Sequence, residues 1–172
     1  ELRVEALRPA TDADQAHVSA LRAFAEGQRL RALNTAESRL QAVAQYEQAL
    51  VFFRASGDRF DEVLTAYRIG LVRANSSDFR SALDSLLAVM PLATALGEPN
   101  MTASVVNLSG GAFDALGDLG NALTYYDDAR TRFRALGNLN GEAAALNNIG
   151  KIAYDTADVD DAVPEHRSRS SI

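Results

Sequence analysis

Residues 117–137 read GDLGNALTYYDDARTRFRALG, and the same skeleton stands 40 residues earlier and again 40 before that. Ala42, Ala82, Ala122 and Ala162 share that spacing, as do Gly57, Gly97 and Gly137, and Gly70, Gly110 and Gly150. One supersecondary unit is therefore being reused. Folded on this period, the segment after each turn carries apolar residues at offsets i, i+1, i+4, i+7 and i+8. They are Ala42, Val43, Tyr46, Ala49 and Leu50, then Ala82, Leu83, Leu86, Val89 and Met90. In the third unit they are Ala122, Leu123, Tyr126 and Ala129, with Arg130 at the last offset. That is a helical stripe rather than a strand alternation. One partner helix does not cover it, so stacked neighbours must bury the rest.

Working outward, the chain reads as helices in pairs. They span about Asp12 to Leu33, Ala36 to Ser56, Asp58 to Ala74 and Asp78 to Leu96. Pro99 to Gly117, Asp118 to Leu136 and Asn140 to Thr156 follow, with an eighth starting at Asp158. Thr11 and Asp14 form a helix-start box, with Asp in place of the usual Glu or Gln. Gly57, Gly97 and Gly137 stop helices as left-handed cap residues do. Pro91 should kink the fourth helix. Gly70, Gly110 and Gly150 lie mid-helix, where glycine costs about 1 kcal/mol relative to alanine, so close approach of two helix backbones is the expected reason for them. Residues 1–10 form a tail; ELRVEALR at its start alternates like a strand. The repeat domain covers 11–163, and 164–172 are a tail or a truncated last helix, because Pro164 falls where a second helix should run.

The bulk properties exclude several functions. Apolar residues make up 47% and aromatics only 7%, so a core of alanine and leucine must close by helix-on-helix contact. A net charge of −6 lacks the basic stripe that a nucleic-acid backbone calls for. No cysteine is present, which removes disulfides, thiolate nucleophiles and cysteine metal sites. No apolar run approaches the ~18 residues of a membrane span.

Enzyme constellations are thin. His17 and His166 stand near opposite ends and read as surface residues without a shared metal or proton relay. Asp155, Asp158, Asp160 and Asp161 lack the register of a calcium loop and read as a helix start favoured by the dipole. The glycines at 110, 111, 117 and 120 have neither the preceding strand nor the following Lys-Ser/Thr of a phosphate loop. No cofactor, metal or catalytic residue is expected.

This combination resembles the tetratricopeptide repeat. Ile69-Gly70 and Ile149-Gly150 match its first-helix pair and Gly117-Asp118 its turn, with Ser77-Asp78 and Ala157-Asp158 as weaker versions. Ala122, Tyr126 and Ala129 match its second helix. The period of 40 instead of 34 is similar to the repeats of kinesin light chains and of the regulatory arms of bacterial signalling proteins. The first unit departs, with Leu30 where glycine is expected. The segment from Leu7 to Ser38, with repeats after it, resembles the region ahead of repeats in bacterial proteins that end in a caspase-like CHAT protease domain.

The resemblance implies an all-α, right-handed α-solenoid of about four antiparallel hairpins, seven or eight helices in all. Its implied role is a non-catalytic protein- or peptide-binding scaffold whose first helices line a concave groove. Carried over, the groove residues are Tyr67, Leu71 and Asn75; Asn107, Gly111 and Asp114; Asn147, Lys151 and Tyr154; and Phe24, Arg31 and Asn34 from the first unit. Asn107, Asn147 and the neighbouring Asn148 can each donate and accept, which suits the main chain of an extended peptide. The alternative is a self-association module: an incompletely capped last repeat would expose the apolar face around Ile149, Ile152 and Ala153 to a second copy, giving a homodimer.

Overall fold

The computed structural model describes residues 8–162, with backbone alone over 157–162. It contains α1 (Asp12–Leu33), α2 (Ala36–Ser56), α3 (Arg59–Asn75), α4 (Phe79–Ala95), α5 (Pro99–Ala115), α6 (Leu119–Ala135) and α7 (Leu139–Ala162). Each helix packs chiefly on the one before and the one after it. This is an all-α helical-repeat solenoid. The strand-like reading of the first residues and the readings of Pro164 and His166 lie outside the described residues.

Helix ends follow from local chemistry. The Thr11 side chain accepts from the Asp14 amide at 3.2 Å, and the Asp14 carboxylate accepts from the Thr11 amide at 2.7 Å. Thr35 and Ser38 repeat this reciprocal cap at the start of α2. Gly57, Gly97, Gly117 and Gly137 all take positive φ, between 65° and 83°, which lets the chain reverse without a Cβ clash. In each glycine turn but one, the amide after the glycine reaches back to the helix, as Asp118 does to the Phe113 carbonyl at 3.0 Å. α4 runs unbroken through Pro91, which lies on the exposed side.

The mid-helix glycines have a more specific role than backbone approach. A Cβ built on Gly70 would sit 2.9 Å from Leu86, and one on Gly110 would sit 2.9 Å from the Tyr126 ring. A large side chain of the second helix thus lies flat on the bare backbone of the first. Ala42, Ala82 and Ala122, one turn earlier on the second helix, are completely buried. The first unit obeys the same rule with Gly27, whose Cβ would meet Tyr46 at 2.8 Å. The expectation that Leu30 stands at this place is corrected by three residues. The cause is length: α1 and α2 have 22 and 21 residues, whereas α3 to α6 have 17 each.

Joints between units are polar inside an apolar frame. Glu62 is 6% exposed and is held by Arg54 at 2.7 Å and Arg59 at 3.0 Å. Glu142 and Arg134 repeat the first of these pairs at 2.6 Å. In the intervening unit, Thr102 donates instead to the Ala93 carbonyl at 2.9 Å.

Two expectations at the ends change. α7 passes through Ala157-Asp158 as one helix, so the eighth helix does not begin there. The two preceding turns place Ser77 and Gly117 at this position with positive φ. Alanine has no polar side chain to support that conformation, and its Cβ opposes it by about 1–2 kcal/mol. At the other end, α1 turns polar. The face that α3 packs on α2 carries Glu62, Thr65, Ile69 and Val72, all buried. At the matching distances from Gly27, α1 has Ser19, Arg22, Glu26 and Arg29. The Glu26–Arg29 ion pair at 2.7 Å lies on that face.

Equivalent glycines should therefore respond with opposite signs. Gly110→Ala should lower unfolding free energy by about 1–2 kcal/mol, since overpacking against Tyr126 outweighs helix propensity. Among the described residues nothing lies within 4 Å of a Cβ built on Gly150, so Gly150→Ala should raise it by about 0.5–1 kcal/mol. Urea titration of both variants checks the pair.

Candidate functional site

The odd-numbered helices form the inner side of the array. α3 touches α5 and α5 touches α7, while no two even-numbered helices make comparable contact. These contacts place α3, α5 and α7 on one shared side of the array. Each odd helix presents positions three residues before its glycine and one and four residues after it. These lie on one face by the i, i+4, i+7 rule.

Read at that register, the face carries Phe24, Gln28 and Arg31 from α1, then Tyr67, Leu71 and Ala74 from α3. It continues with Asn107, Gly111 and Asp114 from α5, and Asn147, Lys151 and Tyr154 from α7. Three residues fall off it. Asn75 is one position beyond, exposed at the last residue of α3. Asn34 is the left-handed residue that ends α1, with φ of 52°, and belongs to the turn. Asn148 is half-buried, at the place that Arg68 holds in α3.

The side chains differ in what they leave free. Tyr67 is half-buried and packs on the cluster of Val63, Ala66, Leu86 and Val105. Asn107 is half-buried, and its Oδ1 is shielded from water with no hydrogen-bond partner among the described residues. Asn147 and Tyr154 are exposed, the latter at 72%. Asp114 and Lys151 are brought together across α5 and α7, with Nζ donating to the carboxylate at 3.3 Å. Gly111 opens the floor, and a Cβ there would stand 3.4 Å from the Tyr126 hydroxyl. Burial first, and the Asp114 charge second, push the Tyr126 phenol up to about 12.

Sequence reasoning passed over a cluster at the amino-terminal end of the groove. The Arg68 Nε and the Tyr46 hydroxyl are both buried without a hydrogen-bond partner among the described residues. Burial raises the Tyr46 phenol, while Arg31 and then Arg68 act against that rise. A signal existed in the sequence: Arg68 is the only charge among its repeat equivalents Ala25, Leu108 and Asn148.

His17 also differs from its reading as a surface residue without a role. It is half-buried, its Nδ1 lies 2.7 Å from Asp58 Oδ2, and its ring stands edge-on to Phe53 at 6.4 Å. The Ser56 hydroxyl bonds the same carboxylate. Ser56 first and His17 second hold the Asp58 carboxyl below the usual range. These contacts tie α1 to the turn between α2 and α3. Two shallow clefts, of about 310 and 280 Å³, also involve α1, on its polar outer face beside Ser19 and Arg22.

No family model matches the chain, and no curated protein matches it. Among solved structures, it is similar to the N-terminal domain of stress-induced protein-1 (STI-1) from C. elegans, with a TM-score of 0.62 and 12% identity. The alignment covers 77% of this chain and 96% of that one. At this identity the likeness is one of fold, an all-α array of helical hairpins.

The raised Tyr126 phenol has a signed consequence. A tyrosine that ionises near 10.0 when unfolded and near 12 when folded contributes fully below pH 10, and that contribution is lost as pH climbs toward 12. Denaturant titrations over about pH 9–12 should show stability falling, and Tyr126→Phe should make the fall shallower.

Proposed function

We propose that residues 11–163 are a non-catalytic scaffold that holds an extended protein segment along the inner face of α3, α5 and α7. The observation that carries this reading is the Asn107 Oδ1, buried and without a partner among the described residues, on a face otherwise lined by exposed or half-buried side chains. A buried acceptor with no donor costs about 1–3 kcal/mol, and rotation of the amide toward the groove would let a peptide N–H relieve it. Asn147 stands at the equivalent place one repeat on and supplies a second donor–acceptor pair at helical-repeat spacing. Main-chain bonding of this kind is indifferent to sequence. Selection then falls to Tyr67, Arg31 and the Asp114–Lys151 pair, with Asn75, Asn148 and Tyr154 at the rim.

The arrangement around His17 favours a structural rather than catalytic part. A serine nucleophile needs its hydroxyl bonded to the imidazole, and here serine and histidine both bond to the carboxylate between them. In this reading the scaffold is the regulatory or interaction segment of a larger bacterial protein. The support for that context is the resemblance of residues 7–38 to the region ahead of repeats in CHAT-domain proteins.

The test separates groove from core. Peptides selected from a random display library against the folded chain would be measured by fluorescence anisotropy. Asn107→Ala with Asn147→Ala should weaken them by about tenfold or more, with no fall in melting temperature. Ala122→Leu should instead destabilise the stack by about 1–3 kcal/mol through overpacking. Unchanged peptide affinity in the asparagine double variant would remove the groove assignment.

A further inference from the structure

The unmet demands of this chain lie beside α1 and α3 rather than in the apolar stripe expected to be open on α7. Ile149 and Ile152 pack in the cluster of Ala122 and Tyr126, and Ile152 is only 2% exposed. The arginines divide more informatively. Most are matched by an acid, from Arg8 with Asp14 to Arg134 with Glu142. Among the described residues, Arg22, Arg31, Arg39, Arg68 and Arg80 meet no carboxylate, although the chain carries a net charge of −6. Arg22 and Arg80 are exposed, and Arg39 donates to the Asn34 carbonyl and side chain. Arg31 and Arg68 are left, and they share a neighbour.

That neighbour is Tyr46. Leu30 and Ile69 are buried with its ring in one cluster, which sets Arg31, next along α1, and Arg68, one residue earlier on α3, beside it. Burial raises the Tyr46 phenol, and Arg31 ahead of Arg68 opposes the rise, so both guanidiniums stand near its oxygen. The Arg68 Nε is shut off from water without a partner. Its two terminal nitrogens are not shut off, and they hold no hydrogen bond among the described residues. A guanidinium partly withdrawn from water without an anion is unfavourable, and a charge-assisted bond at its open end offsets that cost.

The molecule itself shows which anion fits. Tyr126 holds the place of Tyr46 two repeats on, and there Asp114, four residues after the glycine, takes Lys151 at 3.3 Å. In the first unit the residue four after the glycine is Arg31, and α3 presents Leu71 where α7 presents Lys151. The first joint thus has cations and lacks the carboxylate. Glu62 shows how one carboxylate satisfies two guanidiniums, with Arg54 at 2.7 Å and Arg59 at 3.0 Å.

We propose that Arg31 and Arg68 together receive a carboxylate side chain, aspartate or glutamate, of the protein segment held along the inner side. Resting on the groove reading, this gives the guest a required charge at the α1 end in addition to its main chain. The planar fork of arginine takes such a group through paired bonds that an amide does not match.

Two random peptide display libraries test it, one including Asp and Glu, the other with Asn and Gln in their place. Selected peptides are made with amidated C-termini, so that only a side chain offers a carboxylate, and are measured by fluorescence anisotropy on the 172-residue chain. The first library should give peptides with one indispensable acid, whose conversion to the amide weakens binding at least about tenfold. Arg31→Gln and Arg68→Gln should each weaken the acidic peptide by a similar factor and leave its amide version unchanged, the coupling a direct contact requires. Arg22→Gln should change neither. The melting temperature of free Arg68→Gln should hold or rise, and Arg31, being exposed, keeps the test valid whatever Arg68→Gln does to folding. Acidic peptides that ignore both arginine substitutions would overturn the seat, as would amide-library peptides that bind as tightly. If those peptides still respond to Asn107→Ala with Asn147→Ala, the groove survives without the seat. Dependence on the arginines alone would keep the seat and remove the asparagine contacts. No binder from either library would remove both.

Discussion

A leucine or tyrosine lying on a bare glycine is the contact from which the rest of this structure follows. Gly27 under Tyr46, Gly70 under Leu86 and Gly110 under Tyr126 bring the two helices of each hairpin so close that a single Cβ would collide. The contact is costly in helix propensity and is recovered in packing, since the large side chain loses nearly all its exposure. It also dictates the small residues around it. With the helices this near, only alanine fits at 42, 82 and 122, and each of those side chains is fully buried. The forty-residue period is the trace of that geometric constraint in the sequence.

Much of this was legible without coordinates, and the failures have specific causes. The alanine and glycine spacing announced the hairpins, and Thr11 with Asp14 announced the start of α1. The register of the first unit was misread because Gly27 is 43 residues before Gly70 rather than 40, the difference lying in longer α1 and α2. Ala157-Asp158 imitated a turn in the aligned repeats but lacked a residue suited to the left-handed region. The positions that share one side of the odd-numbered helices follow from the period, but their chemistry does not. Nothing in the sequence says that Asn107 has a shielded oxygen without a donor, that Asp114 already holds Lys151, or that Arg68 and Arg31 gather near Tyr46. Those facts depend on which side chains meet across repeats, and a periodic pattern carries only what is the same in each.

What differs between repeats is therefore concentrated on the inner side. The position three residues before the glycine runs Phe24, Tyr67, Asn107, Asn147, passing from aromatic to amide along the array. Four residues after the glycine, Arg31 gives way to Ala74, Asp114 and Tyr154. A segment laid along the proposed groove would meet Phe24, Arg31 and Tyr67 at one end, and the amides of Asn107 and Asn147 with the Asp114–Lys151 pair and Tyr154 at the other. The proposed groove thus differs along its length, which gives a partner a basis for selection.

The unequal ends also have a bearing on how the array opens. α1 is held by α2 over a long contact, by the Thr11 and Asp14 cap, and by His17 on Asp58. α7 packs chiefly on α6, along one side. In a solenoid, stability is close to a sum of unit and nearest-neighbour terms, so local opening is coupled along the array. Detaching α7 takes the cover of Ile152 off Tyr126 on α6, whereas loosening α1 must break the His17 contact with the turn after α2. Each joint thus has its own lock, aromatic burial at one and a shared carboxylate at another.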